Sequence, residues 1–130
     1  MSSFVGATPA VRLSVRNHLL GLSYPTVGSA LGVVDTGYDG FLAVPAEIFS
    51  ALGLDKLPSA SRTVLAADGR PLKLASSFAS VSLLGVGQSL DGPVESGPGM
   101  GEILVGTRLL RRFNIKLDYC SGVFRIERCR

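Results

Sequence analysis

An apolar run ends in an aspartate at Gly32-Val33-Val34-Asp35, and Thr36-Gly37-Tyr38-Asp39-Gly40-Phe41-Leu42 follow at once. An ionised carboxylate at the end of a buried strand is costly unless it is paired, hydrogen-bonded or partly neutralised. Thr36 brings a short hydroxyl that both donates and accepts. Gly37 lets the backbone turn sharply and approach another chain or a ligand closely. The chemistry such a carboxylate offers is proton transfer as a general acid or base. The same residues also fit an ordinary turn, in which Asp35 accepts backbone amides two residues on. His18 is the one histidine and stands near no recognisable Ser or Cys nucleophile, so it reads as a surface turn residue. Cys120 and Cys129 with a distant His18 do not make a zinc pattern, and no metal or other cofactor is expected.

The elements that must carry Asp35 are mostly strands. Val11 to Arg16 alternates apolar and polar residues, as does Phe113 to Tyr119, with Val123 to Glu127 returning after a turn at Ser121-Gly122. Ser29 to Val34 delivers Asp35, and Phe41 to Val44 leads away from it. Pro45 to Gly53 reads as a short helix, with Pro at its first turn, Glu47 soon after and Gly at its end. Thr107 to Arg112 reads as one or two helical turns. Arg62 to Ala67 and Pro71 to Leu84 read as a long hairpin around Asp68-Gly69, a two-residue turn signal. Leu19 to Pro25 is ambiguous, and Pro25 argues against a central strand there. Met1 to Pro9 is weakly patterned, either a flexible arm or a strand formed only against a partner chain. Gln88 to Gly101 holds four Gly and two Pro and reads as the least regular stretch, with an edge strand near Pro93-Val94-Glu95. The pattern predicts an all-β fold, a closed or partly closed barrel with two short helices.

A chain of 130 residues suits one domain, 1–130, with one core. Hydrophobic content of 46% against 18% charged excludes a disordered chain. No run of 18 apolar residues is present, so no membrane span is expected. The start lacks a basic stretch followed by an apolar core, so no signal peptide is expected. Two isolated thiols fit a reducing compartment, and a cytoplasmic location is expected. The net charge of +3 is modest and does not by itself argue for nucleic acid, although there is a late basic cluster from Arg108 to Arg130. It reads as a solvated basic face, and no nucleic acid is expected.

Apolar-apolar-Asp-Thr-Gly resembles the active-site signature of the retropepsin-like, single-domain aspartic proteases. Ile103-Leu104-Val105-Gly106, about 70 residues later and ahead of a short helix, is similar to the second half of that signature. The resemblance spans most of the chain. It implies an aspartic endopeptidase active as a homodimer on a peptide or protein substrate, with Asp35 from each protomer at the two-fold axis. It further implies that Thr36 braces the protomers, that Gly37 packs close to the carboxylates, and that Asp68 and Gly69 sit at the tip of a flap. The hairpin is equally readable as ordinary structure. Tyr38 departs from the family, which more often has Ala or Ser there; its ring either narrows the pocket or packs outside it. Asp39, Glu102 and Asp118 read as turn or surface residues. The alternative is a non-catalytic dimerisation or peptide-binding module on the same fold.

Overall fold

The computed structural model describes residues 2–130. Its strands are β1 (Ser2–Val5), β2 (Thr8–Asn17), β3 (Leu22–Tyr24), β4 (Ala30–Val34), β5 (Leu42–Ala43), β6 (Ala60–Leu65), β7 (Pro71–Leu83), β8 (Gln88–Ser96), β9 (Ile103–Val105), β10 (Phe113–Asp118) and β11 (Val123–Arg128). Two short helices, α1 (Ala46–Ala51) and α2 (Thr107–Leu110), interrupt them. The fold is all-β, as the alternation predicts. Among the described residues, no helix is long and apolar enough to cross a membrane.

β2 is the strand on which the sheet closes. Ala10 to Leu13 pairs with β4, while Leu13 to Arg16 pairs with β7. The sheet runs β2-β4-β9-β5-β8-β7, so the β2–β7 pairing joins its ends into a ring. Val11, Leu13 and Val15 point inward at intervals of two and are almost wholly buried. They meet Leu42, Val44, Val81, Val94 and Val105 in one core. Asn17 ends the inward row and is buried too. Its Nδ2 donates to the Leu52 carbonyl at 2.8 Å and its Oδ1 accepts the Leu19 amide at 3.1 Å, so the polar group is paid for by hydrogen bonds.

Three expectations change. Residues 2–5 are neither a free arm nor a strand awaiting a partner: β1 pairs with β2 of its own chain, Ser2 opposite Val11. Phe4 packs against Tyr119 and Phe124, which brings the β10–β11 hairpin over β1. Met1 lies outside the described residues. The first part of the Gly- and Pro-rich stretch is regular and not an edge: β8 is flanked by β7 and β5, and only residues 97–101 are irregular. Gly92 is there because the Phe41 ring lies over its backbone, 2.7 Å from where a Cβ would sit. Pro93 stands just before the residues, Val94 and Glu95, that β5 pairs with. The β6–β7 hairpin turns through three residues and not two. The Ala66 amide donates to the Arg70 carbonyl at 2.8 Å and Gly69 takes φ 83°. A two-residue type I′ turn needs positive φ at both central positions, and Asp68 does not adopt it.

The backbones of Gly106 and Gly40 lie close together. A Cβ on Gly106 would collide with the Gly40 carbonyl oxygen and come 2.7 Å from Tyr38 Cδ2. Overpacking of this kind costs about 1–3 kcal/mol or more. Gly106→Ala is therefore expected to lower the thermal midpoint by roughly 5–15 °C. A scanning-calorimetry midpoint within 2 °C, roughly what 0.5 kcal/mol gives at this chain length, would refute that packing.

Candidate active site

Asp35 follows β4, which is parallel to β9: Val33 lies opposite Leu104 and Val34 opposite Val105. The ladder continues one step further, since the Asp35 amide donates to the Val105 carbonyl at 3.0 Å. Asp35 is half-buried, and its Oδ1 accepts the Gly37 amide at 3.0 Å. The Tyr38 amide donates to the Asp35 carbonyl at 3.2 Å and closes the turn. Thr36 and Gly37 are exposed on the same loop.

The chain around Gly106 locks this loop from the other side. The Gly106 amide donates to the Phe41 carbonyl at 3.1 Å, Thr107 to Tyr38 at 2.9 Å and Arg108 to Gly40 at 3.0 Å. β5 pairs with β9 antiparallel, Leu42 opposite Val105. The two sequence motifs, distant along the chain, are therefore one backbone-bonded unit. Asp68 and Gly69 are exposed at the far end of the β6–β7 hairpin. Asp68 Oδ1 accepts the Arg70 amide at 3.0 Å, and its Oδ2 accepts Arg70 Nε at 2.6 Å. Hence the structure unites Asp35, Thr36 and Gly37 and leaves Asp68 and Gly69 on a separate hairpin.

Sequence reasoning missed a second cluster. Tyr38 does not stand out into solvent; its ring folds under its own loop, in the space that Gly40 and Gly106 leave empty. Its hydroxyl donates to Glu95 Oε1 at 2.5 Å. Arg62 reaches the same carboxylate, Nε to Oε2 at 2.6 Å and an Nη to Oε1 at 2.8 Å. The same Nη also donates to Asp39 Oδ1 at 2.9 Å. Burial, then the neighbouring Glu95 carboxylate, pushes the Tyr38 hydroxyl above its usual range. Hydrogen bonds to Glu95 and Asp39 raise Arg62 further still. The Arg62 hydrogen bond, then its charge, holds Asp39 below the ordinary aspartate value of 3.8. The available sequence signals were a tyrosine where the family more often has Ala or Ser and a lone Glu95 next to Val94 in a strand. Asp39 is the surface residue expected of it, and Asp118 is a turn residue whose Oδ1 accepts the Ser121 amide. His18 is exposed in the turn after β2.

Comparison with known proteins gives this arrangement a setting. No family model matches the chain. It is 38% identical over 126 residues to an uncharacterized protein of Archaeoglobus fulgidus, covering 97% of this chain and 98% of the other, and belongs to one family with it. Among solved structures it is similar to a retropepsin-like aspartic protease from Rickettsia conorii, with a TM-score of 0.59, 25% identity and 92% of each chain covered. The fold is retropepsin-like. That likeness supports the same general kind of function for this chain.

The two legs of the Arg62 cluster differ in weight. The Glu95 side chain is 5% exposed, whereas Asp39 is 77% exposed. Removing Arg62 strands a buried carboxylate, which costs about 3 kcal/mol, the low end for a buried pair because Arg62 itself is partly open to water. Removing the Asp39 charge costs less than about 0.5 kcal/mol. Arg62→Met should therefore lower the urea midpoint clearly and Asp39→Asn barely. The depressed Asp39 value places its small contribution at neutral pH. It is lost as pH falls through the folded-state value, below 3.8, so Asp39→Asn should slightly flatten the acid limb of stability against pH. Equal losses from the two variants in urea titrations would contradict this ranking.

Proposed function

We propose that this chain is an aspartic endopeptidase, a single retropepsin-like domain over 1–130 that works as a homodimer on peptide or protein substrates. The observation that carries the reading is the placement of Asp35. It sits half-exposed at the end of β4, one ladder step beyond β4–β9 pairing, with Thr36 and Gly37 exposed beside it. One such aspartate per chain makes half a site, so two protomers are needed to bring two carboxylates together.

Two carboxylates in contact cannot both ionise cheaply; they share one proton and titrate as a pair. The ionised Asp35 takes a proton from a water, which attacks the scissile carbonyl. The protonated Asp35 of the other protomer donates to the carbonyl oxygen. The tetrahedral intermediate then collapses as a proton passes to the leaving amine. In this reading the Gly37 amide holds Asp35 Oδ1 in place, Thr36 faces the second protomer, and Asp68 and Gly69 form the tip of a flap. No metal or other cofactor takes part. The free, exposed thiols of Cys120 and Cys129 suit a reducing compartment, and a cytoplasmic location belongs to the same proposal.

A second reading has one observation in its favour. Asp35 Oδ1 accepting the Gly37 amide is also what an Asx-type turn does, and a dimerisation or peptide-binding module would keep it. The carboxylate substitution separates them. Asp35→Asn is expected to abolish peptide cleavage, by at least about 10³-fold in kcat, with circular dichroism and sedimentation unchanged. Residual cleavage near the wild-type level would sink the peptidase reading. Specific activity should also fall on dilution below the dimer dissociation constant, and a flat activity per milligram across that range would contradict half-sites.

A further inference from the structure

β6 is the last strand of the sheet and pairs only with β7. Its outer side faces no strand. Among the described residues, every hydrogen bond from β6 to anything besides β7 is made by the Arg62 side chain. Those bonds end on Glu95 of β8 and Asp39 of the Asp35 loop, and Tyr38 of that loop holds the same Glu95. Arg62 also lies 6.0 Å from the Tyr38 ring centroid, close enough for a cation–π contact. Beyond Arg62, β6 runs on three residues to Leu65 and the turn at 66–70, an arm of roughly 15 Å at strand spacing.

We infer that Arg62, clamped by Glu95 and Tyr38, is the fixed pivot of the β6–β7 hairpin, and that it positions the hairpin over the Asp35 site when substrate binds. The inference rests on the peptidase reading for its substrate and on the geometry for its pivot. A bidentate guanidinium–carboxylate pair fixes angle as well as distance, which a lysine does not. A buried ion pair contributes little net stability over an apolar substitute, but it admits one arrangement of its elements. Here that arrangement sets the root of the hairpin against the loop that carries Asp35. Tyr38 fills the second position on Glu95 Oε1 and so keeps the clamp in register. Arg62, Glu95 and Tyr38 are positioning residues in this scheme.

Full-length wild type, Arg62→Lys, Arg62→Gln and Tyr38→Phe test the pivot by amide hydrogen exchange. Arg62→Gln is expected to bring exchange in residues 62–72 at least tenfold above the rate that its global stability in urea allows, with β2 and β4 at that rate. Arg62→Lys and Tyr38→Phe should give intermediate rises in the same segment. On a peptide that the wild type cleaves, the variants should raise KM about tenfold while kcat changes less than threefold. An equal rise throughout β2, β4 and the hairpin would make Arg62 merely structural and overturn the pivot. Unchanged exchange at 62–72, or a fall in kcat with KM unaltered, would overturn it too. Should Arg62→Gln not fold, Tyr38→Phe, which keeps the ion pair, decides by the same criteria. A wild type that cleaves no peptide would sink the peptidase reading alone, since the exchange result still judges the pivot.

Discussion

Two glycines facing each other set the geometry of this protein. Gly40 and Gly106 carry no side chains, so the chain after β9 can lie directly against the loop after Asp35. Three backbone hydrogen bonds then form across the gap, from Gly106, Thr107 and Arg108. The loop that carries the aspartate is thus tied down by main-chain hydrogen bonds. Main-chain hydrogen bonds in a ladder leave little freedom in where the carboxylate starts. The room left by the missing side chains is taken by the Tyr38 ring, which explains how a large residue follows Asp-Thr-Gly here without disturbing the loop.

The second constraint is electrostatic. Glu95 stands on a strand with Val94 and Ser96 buried beside it, and its carboxylate is itself almost wholly buried. A lone charge there would be expensive, and three donors from Arg62 and Tyr38 answer it. The same guanidinium is the side-chain tie of an edge strand to the body of the sheet. One group therefore serves both the solvation of Glu95 and the placement of the hairpin. Asp39, out in water, adds charge balance and little energy.

Much of the fold was legible because alternation is a strong signal where one face is buried. β2, β10 and β11 follow from it directly, and α1 follows from Pro45 and Gly53 at its ends. The Asp35 motif and Ile103 to Gly106 were legible as types in order. β8 was not, because Gly92 and Pro93 look like breakers until Phe41 is seen lying over one of them. β1 was not, because a short strand without strict alternation is defined by its partner, here β2 and the aromatic pair at Tyr119 and Phe124. The Tyr38–Glu95–Arg62 cluster joins residues 24 to 57 positions apart, and such pairing leaves no periodic trace.

The parallel pairing of β4 with β9 has a consequence for biogenesis. Val33 and Val34 leave the ribosome long before Leu104 and Val105, and β2 must likewise wait for Leu83 to close the ring. Pairings of such separation pay their loop-closure entropy before any contact repays it. A nascent chain that stops short of Ile103 has the Asp35 turn but not the ladder and backbone bonds from 103–108 that hold it. The Asp35 loop therefore reaches its backbone-bonded form only after residues 103–108 have emerged.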